Sequence, residues 1–306
     1  MAGTADRDRV TIVMATRNGA AHLAEQLDSI ARQSHGGWRL FVSDDGSTDG
    51  TRAILDDFAR SHPVTLVEGP RRGAAANFLS ALCHPDLPRG TVALADQDDI
   101  WLPGKLARGL RRMGPAEDWP VLYAAESALA DAGGRPYRRS SPGRGRPCFA
   151  ASLAQNLFGG HTIMFNPAAL DLIRAAGTPE GIAFHDWWIY QLVAGAGGRL
   201  VLDPAPMALY RQHGGNVIGA AGGGKAVSRL GRVLNGQWRA EMQGHAQALA
   251  SVPHLLTPQA LVTLSAFLSA PPRGFARIET FRRLGLRRSS TGGEILMLGA
   301  AFAGLL

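Results

Sequence analysis

Apolar and polar positions alternate in two rhythms over the first hundred residues. Short apolar runs at residues 10–15 (VTIVMA), 38–43 (WRLFVS), 64–68 (VTLVE) and 91–96 (TVALAD) have the length of buried strands. Between them, Leu23, Leu27 and Ile30 fall at helical spacing, and residues 51–59 and 74–83 read as two further helices. Strands alternating with helices predict an α/β fold, a mostly parallel sheet flanked by helices. Ligands of such sheets bind beyond the carboxyl ends of the strands. The loops after Ala15, Ser43, Glu68 and Ala95 are therefore expected to share one crevice.

The pattern loosens further on. Residues 131–147 are dense in Gly, Pro and Arg and read as a long mobile loop. In NLFGGHTIMFNPAALDLI, a turn and a short strand precede a helix that starts at Asn166, with Pro167 in its first position. AFHDWWIYQLVAGAGG reads as a helix stopped by glycines, and LVLDP and PMALYRQH as two short strands. GAAGGGK, residues 219–225, looks like a hinge, and a basic helical pattern follows it. The expected division is an α/β domain over 1–220 and a helical C-terminal extension over 221–306. No internal repeat is visible.

Composition narrows the class. With 306 residues, 45% hydrophobic, the chain can bury a sizeable core. MAGTADRDRV lacks the apolar centre of a secretion signal, and no stretch approaches a membrane span of ~18 apolar residues. Cys83 and Cys148 stand far apart in no metal or redox spacing, which fits free thiols in a reducing cytoplasm. The net charge of +7 is uneven: eleven Lys/Arg between Arg211 and Arg288 face only Glu241 and Glu279. Such a block can meet an anionic membrane or nucleic acid, or be a solvated face.

Candidate chemistry gathers at the strand ends. In SDDGSTDGT, Asp44 and Asp45 precede Gly46, which permits a tight turn. Helix capping explains the Ser-Thr-Asp part but not two adjacent carboxylates, which could accept a nucleobase N–H. DQDD puts Asp96, Asp98 and Asp99 within four residues, where carboxylates repel unless a positive group sits among them. Such a strand end suits Mg²⁺ or Mn²⁺ with positions left open for a diphosphate; a solvated acidic turn is the plainer alternative. In HDWW, Asp186 is either a helix cap or a general base partly desolvated by Trp187 and Trp188. In YRQHGGN, Arg211 can grip phosphate, and His213 can ligate a metal or bind phosphate.

These pieces, in this order from Val10 to about Gly219, resemble the family 2 glycosyltransferases, and DQDDIW and YRQHGGNVIG resemble their bacterial rhamnosyltransferase branch. The resemblance implies a GT-A fold, a nucleotide-sugar donor (dTDP-L-rhamnose, with UDP-sugars as the other option), and inversion at the anomeric carbon. It implies Asp45 on the nucleobase, with Thr16, Asn18, Asp44, Arg72, Asp96 and Arg211 as further donor contacts. It implies Asp98, with Asp96 and His213, as the Mg²⁺ or Mn²⁺ site, and Arg211 and His213 in a segment that closes over the diphosphate. Asp186 falls at the base position, preceded by His185 where many members carry an acid, so His185 is a rival proton acceptor. Trp101, Gly160, His161, Trp187 and Trp188 are expected to wall the acceptor side.

Two other classes compete. A nucleotidyltransferase acting on sugar phosphates also places acids at strand ends, but its triphosphate loop needs lysine, and ATRNGAAH has none. A nucleic-acid binder would interleave aromatics with its basic residues, and these are sparse here, so no nucleic-acid partner is expected. The expected acceptor is a glycan or lipid-linked glycan hydroxyl, and the expected location the cytoplasm. Arg229, Arg232 and Arg239, with Arg282, Arg283, Arg287, Arg288 and the apolar residues 295–306, would suit peripheral contact with the inner membrane face. Packing of that tail on the catalytic domain is the alternative.

Overall fold

The computed structural model describes residues 9–115, 118–139, 145–212 and 231–306. Four strands, β1 (Val10–Thr16), β2 (Trp38–Asp44), β3 (Val64–Glu68) and β4 (Thr91–Ala95), pair in parallel in the order β3-β2-β1-β4. The crossovers are α1 (Ala20–Ala31), α2 (Thr51–Ala59) and α3 (Ala74–Leu82). Val10, Ile12 and Met14 of β1 pack with Leu23, Leu27 and Ile30 on one face of the sheet. Val13 points the other way, into a core with Phe78 and Leu82. A strand covered on both faces must be apolar at successive positions, which is why VTIVMA carries no alternation. The register sets Thr16 beside Asp44 and Asp44 beside Glu68, so the polar strand ends line one edge.

Past β4 the sheet becomes mixed. Its further elements are β5 (Ile100–Trp101), α4 (Lys105–Met113), β6 (Val121–Ala130), β7 (Pro136–Arg139), α5 (Phe149–Ala154), β8 (Met164–Phe165), α6 (Pro167–Ala176), α7 (His185–Gly195) and β9 (Arg199–Arg211). The sheet continues β4-β8-β6-β9-β5, and β7 pairs with β6. Asn166 caps α6 by accepting from the Ala169 amide, with Pro167 at the first turn, as the sequence implied.

Two segments differ from expectation. Within the stretch read as a loop, Asp131 accepts from the Arg135 amide at 2.9 Å and closes a hairpin between β6 and β7. Residues 140–144 lie outside the described residues. LVLDP and PMALYRQH form one strand, β9, because the register against β6 shifts at Glu126 and lets Pro204 and Pro206 pass. Proline cannot donate to a ladder and sits where a bulge interrupts it.

The C-terminal helices are α8 (Gln237–Ala250), α9 (Pro258–Leu268), α10 (Phe275–Arg283) and α11 (Thr291–Ala303). Trp238, Met242, Leu249, Phe281 and Met297 belong to the same apolar core as Phe78, Trp188 and Leu192. Each such large side chain contributes about 1.5–3 kcal/mol of burial. The Arg288 guanidinium lies over the Trp238 ring at 4.8 Å and donates to the Ala154 carbonyl at 2.8 Å. The tail thus packs on α5 and α7. Among the described residues no helix is long and apolar enough to cross a membrane. The hinge at 219–225 and Arg229 lie outside them.

Candidate active site

The first strand end is tied together by its own polar groups. Asp44, fully buried, accepts from the Thr16 hydroxyl (2.9 Å), the Ser47 amide (2.9 Å) and the Ser47 hydroxyl (2.6 Å). Burial alone would raise its pKa, but the Ser47 and Thr16 bonds and Arg52 leave it lowered. Asn18, at φ 48°, accepts from the Thr48 amide at 2.8 Å and donates its own amide to the Ser47 hydroxyl at 2.9 Å. Asp45 accepts from the Arg71 and Gly73 amides at 2.5 and 2.9 Å, fixing the loop after β3 against the end of β2. Gly46 holds φ 86°, with the Arg71 side chain against it. Arg72 is exposed, 4.0 Å from Glu180, and lines a cavity of about 360 Å³ between the start of α3 and residues 178–183.

The acidic turn after β4 is the electrostatic centre. Burial, then Asp98 and Asp186, push the Asp96 carboxyl up to about 7, against Lys105. Asp99 is fully buried; its Oδ1 accepts the Arg211 amide at 3.3 Å, and its Oδ2 has no partner among the described residues. Burial and the two neighbouring acids raise it well above the carboxylate range. Lys105, also fully buried, answers this charge. Its Nζ donates to the His161 carbonyl at 2.6 Å and stands 3.3 Å from the Trp101 ring centroid. Burial lowers its pKa well below the lysine range while Asp99 and Asp96 pull the other way.

His161 stacks on Tyr210 (4.6 Å) with its Nε2 3.0 Å from the Ser127 hydroxyl, and burial, then Lys105, press its pKa down to about 3. Ligand atoms of Asp96, Asp99 and His161 lie within 4.8 Å of one another. One buried and one half-buried carboxylate with one neutral imidazole, an oxygen of Asp99 unpartnered among the described residues, fit a hard divalent cation such as Mg²⁺ or Mn²⁺. The set differs from the one expected from sequence: Asp96 is common to both. Asp98 lies in the same turn, with its carbonyl accepting from Arg211 Nε at 3.0 Å. His213 lies outside the described residues.

Arg211 is buried. Its guanidinium bonds the carbonyls of Asp98 and Ala132 and pairs with Glu25. In this state it clamps the acidic turn to the end of β9.

Asp186 reaches the same place from the opposite side. It stands at the start of α7, where the preceding Phe184 offers no capping side chain. Its Oδ1 accepts the Trp187 amide at 2.7 Å and its Oδ2 the Gly160 amide at 2.9 Å. A Cβ on Gly160 would lie 2.9 Å from His185 Nε2 and 3.4 Å from Asp186 Cβ, so only glycine lets its amide approach. His185 stacks on Phe78 at 3.9 Å; burial lowers its pKa against the pull of Asp186, and its Nε2 is unpartnered among the described residues. Trp187 and Trp188 are buried in the core behind Asp186, Trp187 donating to the Ser152 carbonyl at 2.7 Å. Trp101 lies under Lys105.

Sequence reasoning missed Lys105, the ligand-type placement of Asp99 and the clamp residue Glu25. A buried lysine carries no sequence signal beyond standing in the same motif as the acids.

An α/β sheet with acids at its strand ends and a carboxylate opposite them fits a glycosyltransferase of GT-A fold. The profile of Glycosyl transferase family 2 matches residues 11–169, and the chain belongs to that family. It is similar to the dTDP-rhamnosyl transferase RfbG of Shigella flexneri, 29% identical over 258 residues that make up 78% of this chain and 84% of that one. Among solved structures it resembles S. aureus TarS 1–349, with TM-score 0.54, 16% identity and 90% of each chain covered. It also resembles the mannosyltransferase PcManGT of Pyrobaculum calidifontis in complex with GDP-Man and Mn²⁺, with TM-score 0.52, 21% identity, and 97% of this chain and 87% of that one covered. Family membership decides between the classes of reading: the protein is a glycosyltransferase, not a nucleotidyltransferase.

Proposed function

We propose that the protein transfers L-rhamnose from dTDP-L-rhamnose, with inversion, to a hydroxyl of a cell-surface glycan or a lipid-linked precursor of one. The observation that carries this reading is the meeting of the acidic turn and Asp186 from opposite elements, close enough that Asp186 raises the proton affinity of Asp96. The likeness to the Shigella dTDP-rhamnosyl transferase favours the donor.

In this reading Asp186 takes the proton of the acceptor hydroxyl as its oxygen attacks the anomeric carbon. The bond from that carbon to the diphosphate oxygen breaks, and the nucleoside diphosphate leaves. The amides of Gly160 and Trp187 hold the carboxylate in one orientation, so little reorganisation accompanies proton transfer. Asp45 and the loops bearing Thr16, Asn18 and Arg72 receive the nucleotide. Mg²⁺ or Mn²⁺ held by Asp96, Asp98, Asp99 and His161 would neutralise charge on the departing diphosphate.

The test is release of nucleoside diphosphate from a panel of dTDP-, UDP- and GDP-sugars, with Mg²⁺, with Mn²⁺ and in EDTA. dTDP-L-rhamnose should be turned over fastest and only with metal. Preference for another donor would overturn the rhamnose assignment, and full turnover in EDTA would overturn the metal site.

A second reading concerns location, and one surface favours it. Phe275, Ile295 and Phe302 are 78%, 67% and 46% exposed, and Phe275 meets Phe302 edge-on at 5.0 Å. Ile295 and Phe302 are seven residues apart on one helix face, and Arg273, Arg282 and Arg283 on and beside α10 are exposed. Apolar side chains beside arginines suit an anionic leaflet, so the enzyme would work on the cytoplasmic face of the membrane.

A further inference from the structure

His245 of α8 is fully buried and reaches the segment that leads into α7. Its Nε2 lies 3.2 Å from the Ala183 amide and 3.4 Å from the Phe184 amide. Amides only donate, so Nε2 is the acceptor and the ring proton sits on Nδ1. That nitrogen donates to Gln191 Oε1 at 2.8 Å. Gln191 in turn donates to the Ser152 carbonyl at 3.1 Å, and the His245 ring packs on Trp187 with centroids 4.9 Å apart. Next to it, a Cβ on Gly244 would fall 2.6 Å from the Gly181 carbonyl oxygen, so the backbones of α8 and the 178–184 segment touch. The histidine contact falls on the two residues before His185, and the glycine contact on Gly181 slightly upstream.

We propose that His245 is a positioning residue for Asp186, which makes the C-terminal extension part of the catalytic apparatus. Phe184 offers α7 no side-chain cap; the imidazole from α8 holds the chain just ahead of the helix, at the Ala183 and Phe184 amides. The entry angle of α7, and with it the reach of Asp186, is then set by a helix more than fifty residues downstream in the chain. The same segment walls the cavity beside Arg72. This inference rests on Asp186 being the base.

The experiment compares the full-length protein with His245→Ala, His245→Gln, Asp186→Asn and the double variant His245→Ala/Asp186→Asn. Nucleoside diphosphate release is measured from the sugar nucleotide that the wild type turns over fastest. Glutamine can accept from Ala183 and donate to Gln191, so it preserves the link. His245→Ala should lower kcat between about tenfold and about 10²-fold, the range for slight misplacement of a reacting group, with KM for the donor nearly unchanged. His245→Gln should recover most of the loss. In the Asp186→Asn background His245→Ala should cost little more. Unchanged kcat in His245→Ala, no rescue by glutamine, or equal losses in both backgrounds would overturn the positioning role. Wild-type turnover by Asp186→Asn would instead overturn the base assignment on which it rests.

Discussion

At the scale of single residues, Lys105 supplies the positive charge that Asp96 and Asp99 face. Three aspartates in four residues demand a positive neighbour, and that demand can be read from letters alone. Lysine reads as surface by default, so nothing marked Lys105 as the neighbour. Its position predicts a behaviour. Lys105→Met leaves the His161 carbonyl without its donor and takes the positive charge away from Asp96 and Asp99; leaving a buried acceptor unsatisfied typically costs about 1–3 kcal/mol. Thermal unfolding should reveal the loss, and Mg²⁺ or Mn²⁺ should restore more stability to this variant than to the wild type. An unchanged melting temperature would mean that Lys105 does not hold the turn. Asp96 predicts a pH dependence. Its pKa is raised from 3.8 to about 7, so the folded state holds the proton more tightly. Its stabilising contribution is complete below about pH 4 and is lost as pH rises through 7. In EDTA, the wild type should lose melting temperature between pH 5 and pH 8, and Asp96→Asn should lose less. Parallel curves for the two proteins would rule this out.

At the scale of elements, the first four strands and three helices were legible because each carries an unbroken apolar period. The helix start at Asn166-Pro167 was legible because its capping is local. β9 was misread as two strands, because its prolines pointed to a break and only pairing with β6 resolves them as a bulge. What holds the approach to α7 was illegible for a deeper reason: it comes from His245, on another helix. Gly244 tests how closely α8 must lie. Gly244→Ala would press a methyl group against the Gly181 carbonyl. Overpacking of this kind costs about 1–3 kcal/mol, and the variant should melt lower and turn over more slowly while still binding the nucleotide. Stability equal to wild type would show that the two backbones can part without loss.

At the scale of the whole molecule, the basic tail is both packed and exposed. Trp238, Phe281 and Met297 sit in the shared core, so deleting the extension would strip the catalytic region as well. Surface changes separate the two roles. Phe275→Ser/Ile295→Ser/Phe302→Ser should keep donor hydrolysis but abolish flotation with anionic liposomes, and neutral liposomes should hold even the wild type poorly. Equal flotation of wild type and variant would remove this face from consideration. Arg211 has a consequence on another axis, that of synthesis. It joins Asp98 to Glu25 across sequence separations of 113 and 186 residues. While the ribosome is still making β9, the loops after β1, β2 and β3 already have one another as hydrogen-bond partners, yet the acidic turn has no clamp. The clamp on the acidic turn therefore cannot close until residue 211 has been made, with about a third of the chain still to follow.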